Sequence, residues 1–330
     1  MLRLVRYLAW FAAGSAVFAA TGRTPQRGYQ AMRDLVTAFG PRFVAAASAV
    51  ATLRRRRART TAGDGVFGHI DAEGAAGLAR RIEGDGFVVF DARLDEATCA
   101  ELEQLARRTP ARPLPRPADA PEQLVYDPAH PVATRYDLDE PDILSSPAAQ
   151  RIATDPSVRA VAAAYLGCEP VNDLVAMWWT VAHGERPSSE AAQLFHTDRD
   201  RLRFLKFFFY LTDVTPQTGP HVFVRGSHRN APARLREDRR FADDEVLAAY
   251  GVDAVVEIPG ARGTILAVDT SGLHKGKHPE VGDRLLLQLE YANSLLGAPY
   301  ETLPAGLLVD DAARAVAAAP RTFRRFTRGQ

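Results

Sequence analysis

The pattern of apolar and polar positions changes once along the chain. Before residue 171, apolar residues recur at helical spacing, and Asp71 and Asp95 stand where two amphipathic helices begin. Between these helices, residues 87–90 form a short apolar run typical of a buried strand, and the proline-rich stretch 109–121 predicts a loop.

After residue 171, apolar residues fall into short runs separated by Gly and Pro. These runs predict strands at 174–181, 202–211, 221–224, 255–258, 263–268 and 284–291. Helices followed by short strands are typical of a mainly β fold, an antiparallel sandwich or barrel with a helical buttress, rather than of alternating βαβ units.

Charge divides the chain into two parts. Residues 1–60 contain eleven arginines and one acidic residue, Asp34, although the whole chain has 41 basic and 40 acidic residues. A turn-rich linker follows at 60–68. We therefore expect a basic, apolar, mostly helical N-terminal extension at 1–60 and a folded domain at 61–330, with its first helix beginning near Asp71.

Two apolar runs lie in this extension. The uncharged run from Tyr7 to Gly22 has 16 residues, fewer than the roughly 20 that span a bilayer, so a spanning helix is not expected. The second run, 43–53, is followed by five arginines within 54–59. Peripheral contact with an anionic membrane, a cleaved export signal and a solvated helix end remain alternatives, whereas nucleic-acid binding is not expected because no aromatic platform accompanies the arginines.

Composition is that of a globular protein. Of 330 residues, 46% are hydrophobic and 25% charged. The two cysteines, Cys99 and Cys168, cannot form a disulfide framework or a multi-cysteine zinc site, and we expect both to be buried thiols. Oligomeric state cannot be predicted from these features.

The candidate chemistry lies in one short stretch and two later positions. His196 and Asp198 are two residues apart on extended chain, so their side chains point to the same side. His274 follows the predicted strand 263–268 and is a candidate third ligand. Two histidines and one carboxylate with open positions suit non-haem Fe(II) better than zinc. Arg284, at the start of the next strand, is suited to binding a dicarboxylate through its guanidinium.

Taken together, the motifs resemble the phytanoyl-CoA dioxygenase-like branch of the Fe(II)/2-oxoglutarate-dependent oxygenases. The resemblance rests on these motifs in chain order: Gly84-Asp-Gly-Phe-Val-Val, His196-Thr-Asp198, Leu205-Lys206 with Tyr210-Leu-Thr-Asp213-Val, Gly219-Pro220, Gly226-Ser-His228, and His274 followed by Arg284. It implies a double-stranded β-helix (a jelly-roll or cupin-like fold). It also implies that His196, Asp198 and His274 bind iron and that Arg284 pairs with the distal carboxylate of 2-oxoglutarate.

The activity implied by the resemblance is that of a dioxygenase. It hydroxylates or desaturates a small-molecule, carrier-linked or lipid-linked substrate, using Fe(II), dioxygen and 2-oxoglutarate, which is decarboxylated to succinate and CO2. Asp198 stands where halogenating relatives carry a small residue. A cytoplasmic location is expected because Fe(II) and 2-oxoglutarate are available there. The alternatives are a catalytically silent binding module on the same scaffold and a membrane-associated scaffold protein.

Two positions depart from the family pattern. Arg225 replaces the usual Pro before Gly-Ser-His, which alters a turn, and Leu286 stands where related oxygenases carry a serine that helps to hold the co-substrate.

Other polar residues leave alternatives open. Lys206 lies within an apolar strand, where an ammonium must point outward or find an anion, either the co-substrate carboxylate or an ion-pair partner. Gln193 contacts the co-substrate or caps a loop. Gln288 and Glu290 are an even number of positions from Arg284 along the same predicted strand, so their side chains should point to the same side. Both are therefore candidates to face the cavity. Two further expectations are that one of Trp178 and Trp179 packs in the core, and that the turn or surface histidines are His221, His228 and His278.

Overall fold

The computed structural model describes residues 2–53 and 63–327. Its α-helices are α1 Leu2–Thr21, α2 Gln26–Phe39, α3 Pro41–Leu53, α4 Ala72–Asp85, α5 Glu96–Arg108, α6 Glu140–Ile143, α7 Pro147–Ala153, α8 Pro156–Leu166, α9 Asp243–Tyr250 and α10 Asp310–Ala318.

The strands are β1 Gly63–Gly65, β2 Gly68–Ile70, β3 Phe87–Arg93, β4 Pro110–Leu114, β5 Leu124–Val125, β6 Arg135–Leu138, β7 Val171–Val181, β8 Phe204–Tyr210, β9 His221–Val224, β10 Val255–Ile258, β11 Thr264–Val268, β12 His274–Gly276, β13 Asp283–Ala292, β14 Leu303–Pro304 and β15 Phe326–Thr327.

Local sequence signals set the first helices of the domain. The Asp71 carboxylate accepts a hydrogen bond from Gly74 N and begins α4, and Asp95 does the same for α5 through Thr98 N. Gly86, in the left-handed region at φ 91°, ends α4 before β3. Both predicted helix starts are confirmed.

Two sheets form the body. The larger has eight strands in the order β3-β11-β8-β13-β7-β6-β4-β5, and the smaller has the order β10-β9-β12. Each of the strands predicted after residue 171 is present, and the pairings in both sheets are antiparallel. The prediction of a mainly β jelly-roll fold with a helical buttress and a helical N-terminal region is confirmed.

Alternation along the large sheet divides its residues between two environments. In β7, β8 and β13 the odd-numbered side chains, including Trp179, Phe207 and Leu287, pack with helices α4, α5, α7 and α8 in the main core. The even-numbered side chains, including Trp178 and Phe208, face the small sheet. The two tryptophans are therefore on opposite faces, as predicted, and Trp179 is the one in the main core.

Two predicted loops are wrong in part. The stretch 109–121 contains β4, because Pro110–Leu114 pairs with β6, while the two-residue edge strand β5 covers only Pro110 and Ala111 on the other side. The linker 60–68 contains β1, which forms a hairpin with β2. Residues 54–62, including the arginine run, lie outside the described residues.

The N-terminal helices pack on the body. Helix α2 buries Tyr29, Met32 and Leu35, and the first two contact Leu202 and Leu296 of the domain. The Arg33 guanidinium lies 2.7 Å from the Asp238 carboxylate. The described part of the extension therefore has an apolar and an ionic attachment to the domain.

Helix α1 is longer than its uncharged run. It spans 20 residues, including Arg3 and Arg6, and Gly14 is its one residue that is fully buried among those described. By length and composition it is long and apolar enough to cross a membrane, which differs from the expectation based on 16 uncharged residues. At Gly14 it meets Gly28 of α2 so closely that an added Cβ would lie 2.7 Å from the Gly28 Cα.

Candidate metal centre

His196, Asp198 and His274 are brought together by backbone pairing. His196 and His274 exchange two backbone hydrogen bonds, each 3.0 Å long, and Asp198 N donates to Thr270 O at 2.9 Å. The segment carrying His196 and Asp198 thereby extends the small sheet beyond β12. This pairing brings His274 next to Asp198, although the two residues are 76 positions apart in the sequence.

The three side chains converge on one point. One potential ligand atom from each residue lies within 4.8 Å of the others. The His196 Nε2 atom is 3.7 Å from Asp198 Oδ1, and the His274 Nε2 atom is 3.5 Å from Asp198 Oδ2. This spacing fits a single ion between two nitrogens and one carboxylate.

Hydrogen bonds fix the orientation of both imidazoles. Nδ1 of His196 lies 2.8 Å from Leu194 O, and Nδ1 of His274 lies 3.0 Å from Gly272 O. A carbonyl oxygen only accepts, so Nδ1 carries the proton and Nε2 keeps its lone pair toward Asp198. Burial, and then the neighbouring His274, lower the pKa of His196 to about 3, and burial also lowers the pKa of His274. Both rings are therefore neutral and able to bind a metal at neutral pH.

Asp198 is kept ionised by a buried cation. Burial alone would raise the pKa of its carboxyl, but Lys206 and the two imidazoles outweigh burial and lower that pKa. Lys206 Nζ lies 2.7 Å from Asp198 Oδ2 and 3.4 Å from Glu290 Oε2. Lys206 thus finds an anion in Asp198, which is the ion-pair alternative predicted from the sequence. Burial raises the pKa of Glu290 well above its usual value.

Arg284 is buried with two unused donors. It lies in β13 opposite Thr180 of β7, is 2% exposed, and donates from Nη2 to Thr180 Oγ1 at 3.3 Å. Its Nε and Nη1 atoms have no hydrogen-bond partner among the described residues. Burial lowers the pKa of Arg284 to about 10. A buried guanidinium with free donors is costly unless an anion binds there, which fits a carboxylate of a co-substrate.

These groups line one cavity of about 310 Å³, which is the candidate site. Apolar walls come from Trp178, Phe208 and Leu286. Gln288 lines it, as its parity suggested, whereas Glu290 lies behind Lys206. Leu286, which takes the place of a family serine, supplies apolar surface and no hydrogen bond.

Gln193 lies beside the cavity rather than among its lining residues. Its Oε1 accepts from Ser188 N at 2.7 Å and lies 3.1 Å from His278 Nδ1, so it closes a loop, while its buried Nε2 has no partner among the described residues. Its contact with the co-substrate stays a prediction, as does that of Lys206.

The expectation that His221 is a turn or surface residue is wrong. It lies in β9, is buried, and its ring is 5.5 Å from that of His274. Its short strand pairs with β10 and β12, and this pairing, which no local pattern indicates, turns the ring into the cavity. Burial, with His274 and Arg284, lowers its pKa well below the usual value. His228 belongs to a turn but is also buried.

A larger cavity of about 650 Å³ lies between α2, α3 and the body. Thr197 and Arg199 face it, because they alternate with His196 and Asp198 along the extended segment. It therefore lies behind the cluster of His196, Asp198 and His274, and the smaller cavity is the one with the chemistry.

Sequence comparison agrees with this geometry. The profile of the phytanoyl-CoA dioxygenase (PhyH) family matches residues 82–278, more than half of the chain. The chain belongs to the phytanoyl-CoA dioxygenase family. It is accordingly a non-haem Fe(II)/2-oxoglutarate-dependent dioxygenase, whose cofactors are Fe(II), 2-oxoglutarate and dioxygen. The family, enzyme class and cofactors predicted from the sequence are confirmed.

Solved structures similar to this oxygenase are distant. EctD from S. alaskensis with bound Fe is 22% identical, with 77% of this chain and 87% of that chain covered and a TM-score of 0.49. HygX from Streptomyces hygroscopicus with nickel and 2-oxoglutarate is 17% identical, with 68% and 88% covered and a TM-score of 0.45. The epimerase SnoN from nogalamycin biosynthesis is 20% identical, with 67% and 84% covered and a TM-score of 0.44. No curated protein matches the chain.

Proposed function

We propose that His196, Asp198 and His274 bind Fe(II) and that Arg284 binds the distal carboxylate of 2-oxoglutarate. The reaction is hydroxylation or desaturation of a small-molecule, carrier-linked or lipid-linked substrate. In hydroxylation, a C–H bond, dioxygen and 2-oxoglutarate give an alcohol, succinate and CO2. In desaturation, two hydrogens leave the substrate as water.

The convergence of His196 Nε2, His274 Nε2 and the Asp198 carboxylate is the observation that carries this proposal. Both imidazoles are neutral and fixed by carbonyl acceptors, and the carboxylate is ionised, so all three are in the protonation state that a metal requires. Two nitrogens and one carboxylate leave further positions open for co-substrate and dioxygen. Bound Fe(II) supplies the redox chemistry that these side chains lack.

The other residues bind and orient. The buried guanidinium of Arg284 has free donors at Nε and Nη1, which suits it to bind a carboxylate. Lys206 holds the Oδ2 atom of Asp198, which limits rotation of the carboxylate toward the ion. Trp178, Phe208 and Leu286 exclude water from the reacting carbon.

An attachment role for the N-terminal helices is a second part of the proposal. We place the protein in the cytoplasm, with α1 contacting an anionic membrane peripherally. Arg3 and Arg6 lie in the first turns of an apolar helix whose residues are mostly exposed, and Val5 and Leu8 are 62% and 49% exposed. Such contact would suit a lipid-linked substrate. The division into an extension at 1–60 and a domain at 61–330 stays part of this proposal.

Release of succinate tests the enzymatic part. The purified full-length protein is incubated in air with Fe(II), ascorbate and 2-oxoglutarate, and succinate is measured with and without candidate substrates. We expect slow succinate release by the wild type and none by Asp198→Ala. Equal release by both proteins would mean that Asp198 is not a ligand, and no release by a wild type that has bound metal would support a silent binding module instead.

A further inference from the structure

A second guanidinium faces the cavity besides that of Arg284. Arg240 precedes α9 and lines the same cavity as His196, Asp198 and His274. It lies on the opposite wall from Arg284, because Arg284 belongs to the large sheet and Arg240 to the chain that continues the small sheet.

Backbone register fixes the position of Arg240. Phe241 N donates to Phe195 O at 2.8 Å, and these two residues form an antiparallel bridge. Continuing this register by one residue places Arg240 opposite His196. Opposite residues of an antiparallel pair have their side chains on the same face. Since His196 also pairs with His274, Arg240, His196 and His274 form one row facing the cavity.

Arg240 is the lining cation that has no close partner, because Asp198 and Asp238 favour its charge only from beyond ion-pair distance. It is half-buried, and its guanidinium has no hydrogen bond or ion pair within residues 2–53 and 63–327. By contrast, Arg135 Nε donates to Asp137 at 2.6 Å and Lys206 pairs with Asp198. Burial lowers the pKa of Arg240, which means that its charge is poorly solvated.

Two guanidinium groups therefore face each other across the cavity. Arg284 offers free donors on the large-sheet wall, and Arg240 offers a free guanidinium on the small-sheet wall beside His196. The proposed binding of 2-oxoglutarate provides an anion for Arg284 and leaves Arg240 without one. The exposed Glu190 on the rim forms no ion pair with Arg240 and does not neutralise it.

We propose that Arg240 binds an anionic group of the substrate, either a carboxylate or a phosphate, and thereby places a nearby carbon at the metal. This inference rests on the proposed function and narrows its substrate to an anionic compound. The cavity of about 310 Å³ must also hold the co-substrate, so the anionic end of the substrate has to be compact.

Anion binding by the loaded protein tests this assignment. The wild type is saturated with Mn(II) and 2-oxoglutarate, so that Arg284 is occupied and no turnover takes place. Methyl phosphate and butyrate are then titrated separately by calorimetry at constant ionic strength. The variants are Arg240→Gln, Arg240→Lys and the neighbouring Arg239→Gln, whose guanidinium is exposed and already paired with Glu237 and Glu245.

We expect saturable binding of at least one probe to the wild type, and the tighter probe identifies the substrate group as phosphate or carboxylate. Arg240→Gln should weaken that binding at least tenfold. Arg240→Lys should weaken it less, because lysine keeps the positive charge but lacks the planar set of N–H donors of a guanidinium. Arg239→Gln should leave the affinity within twofold of the wild type. Affinity for 2-oxoglutarate should stay within threefold in Arg240→Gln.

Three results would overturn the assignment: no saturable binding of either probe to the wild type, unchanged binding in Arg240→Gln, or a loss of 2-oxoglutarate affinity in Arg240→Gln as large as in Arg284→Gln. The last would make Arg240 a co-substrate residue. A wild type that binds neither Mn(II) nor 2-oxoglutarate would instead contradict the proposed function itself.

Discussion

Lys206 and Asp198 form a buried ion pair directly behind the candidate metal centre, with Nζ 2.7 Å from Oδ2. Lys206 lies in β8 and Asp198 in the segment just before it, so the pair joins the large sheet to the chain that carries two of the three candidate ligands. Removing one partner of a buried pair leaves an uncompensated charge.

Replacing Lys206 by Met should therefore destabilise the metal-free protein by roughly 3–5 kcal/mol, measured by urea unfolding. Lys277→Met is the matched control. Lys277 pairs with Glu257 near the surface, where such a pair contributes at most about 1 kcal/mol. Added Mn(II) should restore part of the stability of Lys206→Met, because a cation again faces Asp198. Equal stability of Lys206→Met and wild type would mean that the ion pair contributes nothing.

Arg284→Lys should weaken binding of 2-oxoglutarate by about ten- to a hundredfold, because an ammonium cannot replace the planar guanidinium and its free donors. Affinity for Mn(II) alone should change little. Calorimetry with Mn(II) first and 2-oxoglutarate second measures both constants. Co-substrate affinity that is unaltered in Arg284→Lys would place the distal carboxylate elsewhere.

Metal binding should depend little on pH between 8 and 6. Burial lowers the pKa of His196 to about 3 and also lowers that of His274, so protons compete less for Nε2 in this range than they do for an ordinary imidazole. Two ordinary imidazoles with pKa near 6.5 would lose roughly tenfold in affinity over the same interval. We expect less than a threefold change in the Mn(II) dissociation constant. A tenfold loss by pH 6 would show that the rings titrate normally.

The free energy of unfolding of the metal-free protein should also depend on pH through the buried histidine His196. Between pH 6.5 and about 3, His196 of the unfolded chain binds a proton that the folded chain does not. The free energy of unfolding should therefore fall as pH decreases through this window. His196→Gln should show a shallower decline in urea unfolding than the wild type, and an identical slope would contradict the lowered pKa.

Membrane contact through α1 can be tested without removing the helix. The double substitution Val5→Glu and Leu8→Glu places charge on its exposed apolar side and should weaken binding to anionic vesicles at least tenfold, while succinate release stays unchanged. The control is Val252→Glu with Val281→Glu, two exposed valines on the domain. Equal vesicle binding by both double variants would contradict attachment through α1.

The sequence was sufficient for the parts of the site that depend on local spacing. His196 and Asp198 are two residues apart, and the strands that carry Lys206 and Arg284 have clear apolar runs. Arg240 and His221 could not be found in this way, because only the pairing of Phe241 with Phe195 and of β9 with β12 turns them into the cavity. Pro110–Leu114 was missed as a strand because its two prolines mimic a loop, although it pairs with β6 and Pro113 lies beyond the two residues that the edge strand β5 covers.

The affinity for Mn(II) of four single variants tests the central claim most directly. Wild type, His196→Ala, Asp198→Ala and His274→Ala are compared by calorimetry with His228→Ala, a buried histidine outside the cavity. The account predicts one Mn(II) site in the wild type, a loss of about a hundredfold or more in each of the three ligand variants, and a change within threefold in His228→Ala. Wild-type affinity in any one of the three ligand variants would contradict it.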